Sequence, residues 1–156
     1  MLVKVTVGSL GLDRSDDTPV MVLNEAEGER ILPILIGPNE AGAIAIQLAD
    51  EVRHRPMTHD LLVTIIRAFG GELTKIAIDR RDEGTYYAEL FLGRDERRFT
   101  LDARPSDSVA LALRTGAEIL VAEELLMTRE AVRGPRGTDP SDPSLPGRPG
   151  APPASP

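Results

Sequence analysis

Cysteine is absent from this 156-residue chain, which excludes disulfides, thiolate catalysis and every zinc or iron–sulfur site that needs sulfur ligands. Tryptophan is missing too, and three Phe and two Tyr make up the whole aromatic content. Base stacking is therefore poorly supplied. No apolar run approaches the ~18 residues that a membrane-spanning helix needs, so no membrane partner is expected. The start, Met1 to Val7, alternates like a strand and lacks the basic-then-apolar order of a leader. A cytoplasmic protein is the expectation. Only two histidines occur, too few for a His-rich zinc site. Also missing are the phosphate loop ending in Lys and Ser/Thr, a Gly-x-Gly-x-x-Gly after a strand, Gly-x-Ser-x-Gly and His-Glu-x-x-His.

What is present is enough for one core. Apolar residues make up 41% of the chain, and 18 basic against 25 acidic residues leave a net charge of −7. An acidic surface repels phosphate, so any action on nucleic acid requires a local basic patch or a bridging cation. Nearly all the basic residues are Arg, which suits bidentate grip on phosphate or carboxylate. The segment 134–156 holds eight of the 13 prolines with Gly and Ser and is expected to be a disordered tail. Residues 1–133 form the expected domain.

Within that body, Leu2 to Val7, Val20 to Leu23 and Arg30 to Ile36 read as strands. Asn39 is the expected cap of a helix reaching about Val52, and Thr58 that of a second helix. The second carries Leu61, Leu62, Ile65, Ile66 and Phe69 on one face and stops at Gly70-Gly71. Leu73 to Ile78, Tyr86 to Leu92 and Arg98 to Ala103 read as three more strands. Pro105-Ser106 opens a third helix to about Arg114, Glu118 to Ala122 is a last strand, and a short helix falls in Leu125 to Val132. Pro38-Asn39-Glu40-Ala41-Gly42-Ala43-Ile44-Ala45 matches Pro105-Ser106-Asp107-Ser108-Val109-Ala110-Leu111-Ala112 at an offset of 67, and the preceding strands match too. Each half reads as strands followed by a helix. That is a duplicated α+β unit.

Two polar constellations could carry chemistry. Arg53-His54-Arg55-Pro56-Met57-Thr58-His59-Asp60 holds both histidines at a helix start. Free N–H groups there, with Arg55 nearby, suit an anion, His59 can move a proton, and Asp60 can orient it. Equally, Thr58 and Asp60 can do no more than cap the helix and offset its dipole. Asp102-Ala103-Arg104-Pro105-Ser106-Asp107 sets two carboxylates and an Arg at a strand-to-helix junction. Oxygen ligands of that kind suit Mg²⁺ or Mn²⁺, but a cap and an ion pair are the simpler reading. Glu40 is the repeat counterpart of Asp107.

Three ordered stretches also resemble the signatures of the bifunctional nuclease domain family. They are Leu32 to Ala41, Arg55 to Leu62 and Leu101 to Ala112, and the resemblance as a whole spans roughly residues 1–130. Ser108 stands where the family pattern expects Ala, a harmless change on a helix. The resemblance implies an α+β fold of duplicated strand–helix–strand units with exchanged strands, mixed sheets packed with helices, and frequent self-association. It implies a nuclease for DNA and RNA, helped by a divalent cation. The residues it marks are Glu40, Arg55, His59, Asp60, Asp102, Arg104 and Asp107. On this reading Asp102, Asp107 and Glu40 hold Mg²⁺ or Mn²⁺, His59 and Asp60 manage the proton, and Arg55 and Arg104 steady the phosphate. Nucleic acid is the substrate, and short strands with open edges make a homo-oligomer the expected assembly. The alternatives are a non-catalytic interaction module, and a binder of phosphorylated ligands without turnover.

Overall fold

The computed structural model describes residues 1–133; the tail expected at 134–156 lies outside the described residues. Strands β1 (Leu2–Leu12), β2 (Pro19–Glu25) and β3 (Ile31–Leu35) form an antiparallel meander that leads into helix α1 (Pro38–Leu48). Helix α2 (Thr58–Ala68) follows. A second meander, β4 (Glu72–Asp82), β5 (Thr85–Arg94) and β6 (Arg97–Ala103), leads into α3 (Pro105–Thr115). Strand β7 (Glu118–Ala122), a 3₁₀ turn at Glu123–Leu125 and α4 (Arg129–Arg133) close the described chain. The two helices that open on Pro38 and Pro105 have equal lengths of 11 residues, so the internal repeat is a real structural unit of three strands and a helix.

All seven strands join one mixed sheet in the order β3-β2-β1-β7-β4-β5-β6. β7 runs antiparallel to β1 and parallel to β4. It follows α3 yet pairs with the first half, and so locks the two meanders together. The fold is therefore α+β. Along the register, Met21, Leu23, Leu32, Ile34, Val5, Ile119, Val121, Ile76, Ile78, Ala88 and Leu90 stand on one sheet face, and all are buried. Ile44 of α1 and Val109 of α3 close on this face with no exposed surface. Each such side chain contributes about 1.5–3 kcal/mol by leaving water. No helix among the described residues is long and apolar enough to cross a membrane.

Helix starts differ from the capping expectations in a consistent way. Proline prefers the first helical position, so Pro38 and Pro105 shift the caps back to Gly37 and Arg104. Asn39 and Ser106 lie inside the first turn instead. At α2 the cap is Met57 rather than Thr58, because Asp60 reaches back and accepts from the Met57 N–H at 2.8 Å. Helix α1 stops at Leu48, short of Val52, where Asp50 enters the left-handed region at φ 53°. The N–H groups of Asp50 and Glu51 then bond back to Gln47 and Ile46, a Schellman closure. Helix α3 ends on Gly116 at φ 75°, where a β-carbon is strained. Gly116→Ala should cost about 1 kcal/mol, read as a drop in the urea midpoint with an unchanged slope.

The apolar row of α2 is a larger surprise. His59 and Val63 are its buried residues, whereas Leu61, Leu62, Ile65 and Phe69 stay exposed, Phe69 to 71%. Periodicity identified a shared face, and that face lies uncovered.

Candidate active site

The starts of α1 and α3 and the N-terminal half of α2 meet, and their first turns carry the acidic residues Glu40, Asp107 and Asp60. Negative side chains suit these positions because each helix start presents unpaired N–H groups and the positive dipole end. Arg104, the cap of α3, ties two of them together. Its Nε donates to Asp107 Oδ2 at 2.8 Å and its Nη2 to Glu40 Oε1 at 2.7 Å. Both carboxylates raise the Arg104 pKa, Asp107 more than Glu40. Asp107 Oδ1 in turn lies 2.9 Å from His59 Nε2. With Asp107 ionised, that nitrogen carries the hydrogen. The result is one chain of contacts, Glu40–Arg104–Asp107–His59, drawn from all three sequence signatures.

A second chain lies beside it. Arg114 donates from Nε to Asp60 Oδ1 at 2.7 Å, and from its terminal nitrogens to the carbonyls of Ala110 and Ala43. Its side chain is only 5% exposed, so one guanidinium fastens α1, α2 and α3. The Met57 N–H, and next the Arg114 guanidinium, hold the Asp60 carboxyl below its usual range. The charge-bearing groups of the two chains are thus three carboxylates and two guanidiniums, with the His59 imidazole beside Asp107.

Arg104 also faces an open cleft of about 570 Å³, which Thr18, Gly37, Arg81, Tyr86 and Ser106 help to line. A β-carbon at Gly37 would meet the end of the Glu40 side chain, which would have to shift to admit it. Arg81 lies over the Tyr86 ring at 5.4 Å, and Arg80 over Tyr87 at 4.2 Å. Of these, Arg81 and Tyr86 line the cleft, while the same hairpin also carries Asp79, Asp82 and Glu83.

Of the expected site residues, Glu40, His59, Asp60, Arg104 and Asp107 come together, and Arg55 and Asp102 do not join them. Arg55 sits in the exposed loop before α2, against a shallow depression that Asp60 also lines. Asp102 lies opposite Glu89 on β5. That register turns it to the sheet face away from Leu90 and the helices. The donors do not fit a divalent cation: Glu40 Oε1 and both Asp107 oxygens are taken by Arg104 and His59, and Asp102 stands apart. No three His, Asp or Glu side chains among the described residues are grouped to hold an ion. Millimolar Mg²⁺ or Mn²⁺ in place of EDTA is therefore expected to leave the melting temperature unchanged. A metal-specific rise, lost in Asp107→Asn, would contradict this.

Arg114 and Arg81 were not among the residues singled out in the sequence. Arg114 had one usable signal, since it follows Ala110 by a helical turn on the buried stripe of α3. For Arg81 the signal was the pairing of Arg80-Arg81 with Tyr86-Tyr87 across a turn.

Residues 21–133 match the family model described as the bifunctional nuclease domain. Two uncharacterized proteins of Mycobacterium tuberculosis are 43% identical over 123 residues, which is 79% of this chain and 73% of theirs. The rice protein bifunctional nuclease 2 is 31% identical over 120 residues, spanning 73% of this chain and 36% of that protein.

Proposed function

The chain belongs to the bifunctional nuclease domain family, and from that membership we propose that it acts in the cytoplasm as a nuclease cleaving phosphodiester bonds of DNA and RNA with little sequence preference. The observation that carries this reading is the junction of the ion-pair chain with the basic cleft at one side chain, Arg104. Its Nη1 makes no hydrogen bond among the described residues, and a guanidinium so fixed can still take a phosphate oxygen. Arg81 lines the same cleft and supplies a second positive charge, while Tyr86 offers a ring to a base or sugar.

Hydrolysis needs a group to take the proton of the attacking water and one to steady charge on the phosphorus oxygens. Asp107, held between Arg104 and the His59 Nε2–H, would take the proton of the attacking water, and the imidazole, already protonated at Nε2, would orient that carboxylate rather than receive the proton. Arg104 would steady the developing charge. Asp60 acts at one remove, holding the start of α2 and so the ring of His59.

One observation favours a second reading. Every carboxylate of the network already has a cationic or imidazole partner, which also describes a module that binds a phosphorylated ligand without turnover. The test is cleavage of labelled single-stranded DNA and RNA by the purified full chain beside Arg104→Ala. Cleavage lost in the variant supports the nuclease. Saturable oligonucleotide binding with no product supports the binder.

A further inference from the structure

Strand β6 pairs with β5 and, among the described residues, has no strand on its other side, so it is an open edge of the described sheet. Natural proteins seldom leave such an edge unprotected. The direction of its free groups follows from β5. Phe91 turns its carbonyl toward β4, where it accepts from Thr74 Oγ1 at 2.9 Å. Its partner across the ladder, Thr100, consequently makes a non-hydrogen-bonded pair and turns its own N–H and C=O outward. By alternation Arg98 and Asp102 do the same, while Phe99 and Leu101 bond to β5.

Those outward residues are complementary to themselves. In an antiparallel pairing of β6 with a second copy, centred on Thr100, Arg98 meets Asp102 twice and Phe99 meets Leu101 twice. Shifting the centre to Phe99 sets Asp102 against Glu96, and shifting it to Leu101 sets Arg98 against Arg104. Both shifts oppose like charges. One register is thus favoured and its neighbours are penalised.

The apolar surface agrees. Phe99 and Leu101 are about half exposed, on the sheet face that carries the helices. With Ile66 and Phe69 of α2 they line a groove of about 240 Å³, and Ile65 and Leu62 continue the exposed row from Phe69. A twofold axis through Thr100, normal to the sheet, brings the two grooves to the same side of the seam. We propose that the protein is a twofold dimer in which β6 pairs antiparallel with β6 of a second copy, with Arg98–Asp102 pairs fixing the register and the α2–β6 groove covered across the seam.

This assigns Asp102, which stands apart from the active-site candidate, to recognition between copies. It also gives the uncovered face of α2 an occupant. The dimer does not depend on nuclease activity, so either conclusion can fail alone.

Sedimentation of the full chain over a wide concentration range is the test. Twice the 16.8 kDa chain mass is expected for the parent. Asp102→Arg and Arg98→Asp should each raise the dissociation constant by about tenfold or more, since each opposes like charges at two places. The double exchange of both residues should restore the dimer, and its recovery shows that the single variants fail through pairing rather than misfolding. A parent that stays monomeric throughout overturns the proposal. So does a dimer indifferent to Asp102→Arg, or a double exchange that stays monomeric.

Discussion

Arg104→Ala is expected to lower the rate of phosphodiester cleavage about a hundredfold or more, with Arg104→Lys recovering only part of the loss. The magnitude is that of removing one preorganised donor from a developing oxyanion. Lysine carries the charge but not the planar fork, and it cannot hold Glu40, Asp107 and a phosphate oxygen together. The loss should lie mainly in kcat, and Arg81→Ala, farther along the cleft, should act chiefly on KM. Stability is a weak confounder. The Arg104 side chain is 66% exposed, and exposed ion pairs contribute about 0–1 kcal/mol. A melt of the variant within a few degrees of the parent, beside a large loss of rate, separates chemistry from folding. Activity within twofold of the parent would remove Arg104 from the mechanism and leave the nuclease reading without its supporting geometry.

How much of this was legible in the sequence varies with the physics involved. Helices α1 and α3 were readable because each opens on a proline and repeats the same small-residue pattern. Their caps were misplaced for a related reason: proline fills the first helical position, so the cap is the residue before it. Thr58 failed as a cap because a carboxylate three residues past Met57 does that work. Glu40, His59, Asp60, Arg104 and Asp107 stood out in short local motifs, and the fold brings those motifs together. Asp102 stands apart from them because strand pleat decides its side. Its position next to Ala103 and Arg104 says nothing of the β5 register that turns it away. Arg114 was hidden by distance, since its carboxylate partner lies 54 positions away in the chain. The exposed row of α2 shows a further limit. Period reveals which residues share a face, and only the tertiary structure reveals what covers it.

Arg114→Ala is expected to destabilise the protein by about 2–3 kcal/mol, less than a fully buried pair would lose because Asp60 keeps some contact with water. The melting temperature should fall by roughly 5–10 °C. Three groups lose their donor at once, Asp60 on α2 and the carbonyls of Ala43 and Ala110, and the void opens between α1 and α3. Removing one partner from a desolvated set costs more than the net worth of the contact, because the remaining groups go unsatisfied. Acid dependence separates the electrostatic share from packing. The Asp60 carboxyl is held below its ordinary range, so its stabilisation is fully present above that range and is lost as pH falls through its folded value. Asp60→Asn should flatten the acid limb of stability against pH while lowering the plateau less than Arg114→Ala does. Because the Met57 N–H is the largest single cause that lowers Asp60, Arg114→Ala should keep part of that acid limb. An acid limb that vanished in Arg114→Ala yet survived in Asp60→Asn would reverse the assignment, and would mean that Arg114 steadies some carboxylate other than the one it touches.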